Sequence, residues 1–149
     1  MELNTASSAI SFSKKLEDDS IKFYESLTGK YPEGEEAFLS FVRENKQNKA
    51  SVERTYYGVI TDAIEGCFSF EGIDTDDFPI EVELVEDASY ADALNTAIGM
   101  EEKIMKFYSV AGEISRALIG DVSRAFDKIA RKRGERIHRL KSLLTDRTR

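Results

Sequence analysis

The sequence ALNTAIGMEEKIMKFYSVA, residues Ala93–Ala111, repeats in pattern and partly letter for letter the earlier stretch Ala9–Leu27, AISFSKKLEDDSIKFYESL. When the two stretches are superposed, Glu17 aligns with Glu101, and a Phe-Tyr pair follows at the same distance in both copies. An internal repeat of this kind predicts that the chain contains two copies of one structural unit.

Each copy has the residue spacing of a helix with one buried face. The two inward stripes are Ile10, Ser13, Glu17, Ser20, Tyr24 and Leu27, and Leu94, Ala97, Glu101, Ile104, Tyr108 and Ala111. One carboxylate, Glu17 or Glu101, lies in the middle of each stripe. Because a buried charge is costly unless it is paired or binds a metal, each glutamate is expected to have a partner or a metal ion in the core.

Composition predicts one helix-rich domain spanning residues 1–149. Hydrophobic residues make up 41% of the chain and prolines number only two, which excludes a disordered chain and a turn-rich sandwich. The single cysteine, Cys67, cannot form an internal disulfide, so we expect a reducing, cytoplasmic location. A signal segment and a long apolar run are both absent from the sequence, so no membrane association is expected.

Charge is distributed unevenly along the chain. The net charge of −7 argues against a dedicated nucleic-acid-binding protein. Residues 65–92 contain ten acids and no bases, whereas residues 120–149 contain ten bases and four acids. These segments are expected to form complementary surfaces within one molecule or across a homodimer. The alternative is that the basic segment docks an acidic protein or a nucleic acid.

Capping and turn residues predict four helices. Their expected ranges are about 5–28, 33–65, 88–112 and 121–144. The intervening segment 66–87 contains glycine, proline and short β-favouring runs, and it is long enough to return along the full length of a helix. The predicted architecture is therefore all-α, with two helical hairpins joined by a long crossover.

The second and fourth helices also share a pattern. Aligning them on their Ala-Phe pairs places Asn45 and Asn48 at the positions of Arg133 and Arg136. All four side chains fall on the apolar side of their helices. The sequence therefore predicts two asparagines and two arginines that point into the core.

The combination of two helical hairpins and an inward glutamate on the first and third helices resembles the ferritin-like superfamily. The motifs LEDDSIKFY, residues Leu16–Tyr24, and MEEKIMKFY, residues Met100–Tyr108, are similar to those of rubrerythrin-type proteins. The resemblance covers nearly the whole chain and implies a ferritin-like four-helix bundle. It also implies a di-iron centre held by one Glu from each of two helices and a Glu-x-x-His from each of the others, acting on dioxygen or peroxides or handling iron.

Implied ligands are present on only two of the four helices, as Glu17 and Glu101. The positions that correspond to the ligand set, a vestigial site in this chain, are Glu17, Asn45, Asn48, Glu101, Arg133 and Arg136. Two glutamates and two arginines are electrically neutral without a metal, and a guanidinium pairs well with a carboxylate. Arginine is not a practical iron ligand, and two buried cations would repel a divalent ion. We therefore expect Glu17 and Glu101 to pair with Arg133 and Arg136, with no metal bound.

The leading functional prediction is a rubrerythrin-like or ferritin-like protein that has lost its di-iron centre. It would act as a non-catalytic binding or structural module, with no catalytic residue and no cofactor, and form a homodimer. The sequence does not indicate which small molecule or protein it binds. The alternative is a ferritin-like metal-dependent oxidoreductase with iron at an altered site on Glu17 and Glu101.

Other candidate residues receive structural interpretations. Glu135 and His138 have the i, i+3 spacing of a ligand pair, but the helical pattern turns them towards solvent. Four tyrosines, Tyr24, Tyr56, Tyr57 and Tyr108, are predicted to be core residues rather than radical-forming groups. Cys67, near the end of the second helix, is interpreted as a partly buried apolar residue rather than a reactive thiol.

Overall fold

A computed structural model of the chain describes residues 2–3, 5–59, 73–80, 83–116 and 120–147. Within these residues there are four long helices, α1 (Ala6–Lys30), α2 (Glu35–Val59), α3 (Tyr90–Ser115) and α4 (Gly120–Arg147). Short 3-10 helices occur at Pro32–Gly34 and Thr75–Asp77. The prediction of an all-α, four-helix chain is confirmed over this part of the sequence.

The first helix is longer than predicted. It begins after Thr5 with a capping box, in which the Thr5 hydroxyl accepts from the Ser8 amide at 3.0 Å and Ser8 Oγ accepts from the Thr5 amide at 3.1 Å. The expected end near residue 28 is wrong, because α1 continues through Gly29 to Lys30. Tyr31 precedes Pro32, and a residue in that position is disfavoured in the α conformation, so the helix ends at Lys30.

The third helix also extends beyond its predicted end. Ser89 caps its first turn by accepting from the Asp92 amide at 3.0 Å. The helix then passes Gly112 and ends at Ser115. Gly112 stays helical at a close approach to α4, where Ser123 Oγ donates to its carbonyl at 2.7 Å. The predicted last turns of the second helix, with Ala63, Gly66 and Cys67, lie outside the described residues.

Contacts between neighbouring helices show that they run antiparallel. Between α1 and α2, Asp18 pairs with Lys49 and the earlier Lys14 pairs with the later Glu53. Between α1 and α3, Ser13 contacts Tyr108, whereas the later Tyr24 contacts the earlier Glu101. In both pairs, residue numbers rise along one helix as they fall along the other.

The same relation holds for α4 and its neighbours. Ser40 of α2 contacts Arg139, and the later Glu44 contacts the earlier Arg136. On α3, Gly112 contacts Ser123, whereas Glu101 contacts Arg133. The α1 and α4 helices therefore point one way and α2 and α3 point the other, which is helix packing consistent with a bundle.

The inward stripes predicted for the helices form the core. Every member of the α1 and α3 stripes is buried, as are the following α2 and α4 residues: Phe38, Phe41, Val42, Asn45, Asn48, Val52, Val122, Phe126, Ile129, Arg133, Arg136, Ile137 and Leu140. Leu144 and Tyr56 are only partly buried. Phe78, from the segment before α3, packs edge-on against Phe107 with ring centroids 5.6 Å apart. In the described part of the chain, no helix is long and apolar enough to span a membrane.

Candidate functional site

The two copies of the repeat meet at the centre of the bundle through reciprocal hydrogen bonds. Tyr24 Oη donates to Glu101 Oε1 at 2.7 Å, and Tyr108 Oη donates to Glu17 Oε1 at 3.0 Å. Each tyrosine therefore serves the carboxylate of the other copy, and all four side chains are fully buried. Ser13 Oγ lies 2.7 Å from Tyr108 Oη, and it is placed to donate because the phenol proton goes to Glu17.

Arg133 joins the two carboxylates. Its Nη1 group lies 2.8 Å from both oxygens of Glu101, and its Nη2 group donates to Glu17 Oε2. Nη1 also lies 3.2 Å from Ser20 Oγ. The guanidinium is fully buried, so these contacts form in a part of the protein from which water is excluded. The structure thus brings together Glu17, Glu101 and Arg133, three of the six residues that the sequence singled out.

Arg136 contacts Glu101 and reaches outward from the same cluster. Its Nη1 group donates to Glu101 Oε1 at 3.0 Å and to Asn45 Oδ1 at 2.7 Å, and its Nη2 group donates to Glu44 Oε1 at 2.6 Å. Arg133 therefore contacts both predicted glutamates, whereas Arg136 contacts Glu101 and, as its second acidic partner, Glu44. The Glu44 side chain is 31% exposed, so this ion pair links the core to the surface.

The two asparagines have different surroundings. Asn45 accepts from Arg136 and donates from Nδ2 to Ser20 Oγ at 2.9 Å, which places it inside the cluster. Asn48 is also buried, but neither end of its amide has a hydrogen-bond partner among the described residues. In the same part of the chain, the Nε atoms of Arg133 and Arg136 also have no partner. Buried polar atoms of this kind cost roughly 1–3 kcal/mol each unless water satisfies them.

The two glutamates are electrostatically unequal. Burial alone would raise the pKa of Glu101, but Arg133 and Arg136 together hold it below its usual value. Burial raises the pKa of Glu17. That carboxylate contacts only one of the two guanidinium groups, so the effect of burial is not fully offset. Burial and the adjacent carboxylates raise the pKa of both Tyr24 and Tyr108 well above the usual range. The two phenols are therefore hydrogen-bond donors at neutral pH.

The charge of Arg133 is maintained by the two glutamates. Burial opposes that charge, but Glu101 and Glu17 raise the pKa of the guanidinium above its ordinary value. The group is a permanent cation at any physiological pH. Two glutamates and two arginines give the fully buried part of the cluster a net charge of zero.

The residues present do not fit a di-iron centre. All four carboxylate oxygens of Glu17 and Glu101 already accept hydrogen bonds from a guanidinium or a phenol. At the other positions that the resemblance implies as ligands, the chain has arginine and asparagine, and a guanidinium has no lone pair to offer a metal. Within the residues that the structure describes, no group of three or more His, Cys, Asp or Glu side chains is arranged to hold a metal ion.

The structure also places the other candidate residues that it describes. Glu135 and His138 are both exposed on α4, on the side that the helical pattern predicted. Tyr57 is 76% exposed, so its prediction as a core residue is wrong. Its neighbour Tyr56 is partly buried, and one step along a helix turns the next side chain away from the core. Cys67 lies outside the described residues.

Sequence reasoning missed two features of the cluster. The reciprocal tyrosine contacts were not anticipated, although the repeat places a tyrosine seven residues after each buried glutamate. Glu44 was also missed, because it lies beside the inward Asn45 at the edge of the buried face and has no counterpart among the implied ligands.

Comparison of the chain with protein-family models, curated proteins and solved structures found no match. The functional proposal therefore rests on the geometry of the cluster.

Proposed function

We propose that this protein is a ferritin-like bundle, similar to rubrerythrin-type proteins, that has lost its di-iron centre and acts as a non-catalytic binding or structural module. The main support for the proposal is that the Glu101 carboxylate accepts hydrogen bonds from both Arg133 and Arg136. The equivalent positions of Glu17 and Glu101 in the repeat, and the antiparallel order of neighbouring helices, support the ferritin-like part of the proposal.

Electrostatics favours this state over a metal-bound one. A divalent ion entering between the two carboxylates would stand close to two buried cations and would have to displace them from their partners. Even at an effective dielectric constant of about 20, two positive unit charges about 4 Å apart repel each other by roughly 4 kcal/mol. The neutral cluster gives no corresponding gain to the ion, because its negative charge is already balanced.

The cluster supports a structural role because it joins all four helices. Glu17 lies on α1, Asn45 on α2, Glu101 on α3 and Arg133 on α4, and one chain of hydrogen bonds connects them. A buried ion pair contributes little net stability, but leaving one member unpaired is strongly destabilising. The cluster would therefore fix how the helices align, and the binding role would fall to the outer surface.

Metal content tests the proposal directly. Protein purified from cells grown in iron-rich medium should contain no stoichiometric iron by elemental analysis. Two iron ions per chain, the content of an intact site of this class, would overturn the proposal.

A variant with a rebuilt site provides the matched control. The combined substitutions Asn45→Glu, Asn48→His, Arg133→Glu and Arg136→His would restore a Glu-x-x-His on α2 and on α4. If the bundle is ferritin-like, this variant should bind Co²⁺ and show visible absorption bands that the unmodified protein lacks. A variant that keeps its helical circular dichroism but binds no Co²⁺ would contradict the ferritin-like relationship.

A cytoplasmic homodimer is part of the same proposal. Its support is the contrast between residues 65–92, which carry ten acids, and residues 120–149, which carry ten bases. Such surfaces can complement each other across a twofold axis. Light scattering at low salt should give twice the chain mass of 16.8 kDa, and the mass should fall as salt is added. A single-chain mass at every salt concentration would rule out the dimer.

A further inference from the structure

A groove of about 320 Å³ lies between α2 and α4, beside the buried cluster. It is lined by Ser40, Phe41 and Glu44 of α2 and by Lys132, Glu135, Arg136 and Arg139 of α4. This volume is at the lower end of the range for small-molecule sites, about 300–1,000 Å³. We name it the α2–α4 groove.

The side chains that line the groove carry three positive charges and two negative ones. Arg136 is engaged with Glu101 and Glu44, whereas Arg139 donates to Ser40 Oγ at 3.0 Å. Neither Lys132 nor Arg139 forms an ion pair with any residue in the described part of the chain. Of the acids that line the groove, Glu135 is left to oppose these two cations. An anion is therefore the ligand that this surface would attract.

The donors of the groove are arranged for an oxyanion. Lys132, Arg136 and Arg139 are spaced i, i+4 and i+7, so they share one face of α4. The guanidinium carbons of Arg136 and Arg139 lie 4.8 Å and 5.5 Å from the ring centroid of Phe41, which holds both groups against one apolar support. Planar guanidinium groups match carboxylate and phosphate oxygens, and a lysine adds a point charge.

Arg136 connects the groove to the buried cluster. It is only 2% exposed, and its Nε has no hydrogen-bond partner in the part of the chain that the structure describes. Its outward Nη2 group is held by Glu44, a carboxylate that is 31% exposed. Because Glu101 still contacts Arg136 on the inner side, Glu44 can be displaced from Arg136 without leaving that cation unpaired. Glu44 thus occupies a position that the anionic group of a ligand could take.

We infer that the α2–α4 groove binds a small molecule through a phosphate or carboxylate group, with Arg139, Lys132 and Ser40 as direct donors and Glu44 as the internal competitor. This inference rests on the binding role in the proposed function and names the class of ligand. The two can fail separately, because anion binding and iron content are measured in different experiments.

Nuclear magnetic resonance of the arginine Nε–H groups in the full-length chain tests the inference. Inorganic phosphate and succinate are the two probes, each titrated at millimolar concentration with sodium chloride adjusted to hold ionic strength constant. Saturable shifts of the Arg136 and Arg139 resonances are expected. Binding of phosphate alone assigns a phosphate ligand, binding of succinate alone assigns a carboxylate, and binding of both supports the shared chemistry.

Substitutions define the groove as the site. Arg139→Gln and Lys132→Gln should each weaken binding roughly tenfold, the effect of losing one charge-assisted hydrogen bond. Arg131→Gln and Lys141→Gln remove the same charges from exposed positions of α4 outside the groove, and they should leave affinity unchanged. Glu44→Gln should strengthen binding because it removes the competing carboxylate.

Three results would overturn the inference. The first is the absence of saturable shifts with either probe. The second is equal weakening by the groove variants and the exposed controls, which would show attraction to the whole basic helix. The third is weaker binding in Glu44→Gln with unchanged helical circular dichroism, because it would show that Glu44 assists the ligand rather than competing with it.

Discussion

Replacing Arg133 with methionine tests how the central cluster is held together. In Arg133→Met, Glu101 keeps the contact from Arg136 at 3.0 Å and the one from Tyr24 at 2.7 Å. Glu17 keeps the hydrogen bond from Tyr108 but loses the contact with the Arg133 guanidinium. The variant therefore leaves the fully buried carboxylate of Glu17 without a cationic partner, and Glu17 is expected to take up a proton.

The cost of that proton sets the size of the effect. With an ordinary glutamate pKa of 4.5, holding Glu17 neutral at pH 7 costs about 3.5 kcal/mol, at about 1.4 kcal/mol per pH unit. This figure lies within the roughly 3–5 kcal/mol measured when one partner of a buried ion pair is removed. The folded variant binds a proton that its unfolded chain releases, so its stability rises as pH falls from 7 towards 4.5. At about pH 5.5 the cost should be only about 1.4 kcal/mol.

Urea unfolding followed by far-ultraviolet circular dichroism measures both values. Arg131→Met is the matched control, because Arg131 is exposed and the same change there should shift the free energy of unfolding by less than about 0.5 kcal/mol. Combining Arg133→Met with Glu17→Gln should remove the pH dependence. A cost below about 1 kcal/mol at pH 7, or an equal cost at both pH values, would refute the account of the cluster.

Two further predictions concern the tyrosines and the packing of a glycine. The pKa of Tyr24 and of Tyr108 is raised above 10.0, so both phenols should stay protonated in the native state while the unfolded chain ionises, and the stability they contribute is lost as pH rises above about 10. Carbon-13 resonances of their ζ carbons check this, and a native-state midpoint near 10 would contradict it. Gly34→Ala should lower the free energy of unfolding by roughly 1–3 kcal/mol, because its Cβ would lie 2.6 Å from a ring carbon of the buried Phe38. Gly29→Ala, with nothing within 4 Å of the added Cβ, should be neutral or stabilising in the same urea experiment.

The two carboxylates illustrate how one repeat can yield two electrostatic environments. Glu17 and Glu101 occupy equivalent positions, and each accepts from the tyrosine of the other copy. The equivalence ends at α4, which supplies two guanidinium groups to Glu101 and one to Glu17. The pKa of Glu17 is therefore raised, and the pKa of Glu101 is lowered. Duplication set the positions of the acids, and the different α2 and α4 sequences set their charge balance.

The sequence by itself determined that the four charged residues at the centre of the cluster lie inside. Glu17, Glu101, Arg133 and Arg136 were all predicted to be inward-facing, and all four are buried. This was possible because the helical period is a local property that can be counted along one segment. The same local reasoning was less accurate at helix ends. Gly112, for example, stays helical because of its contact with α4, which is not a local property.

Only the tertiary structure decided which of these inward groups meet. Tyr24 and Glu101 are far apart in the sequence, as are Arg136 and Glu44, and their contacts depend on how the helices rotate and slide against each other. A shift of one helical turn, about 5.4 Å, would exchange every partner while leaving each helix and its buried face intact. The pairing of charges, and with it the conflict with a metal centre, is therefore a property of the assembled bundle.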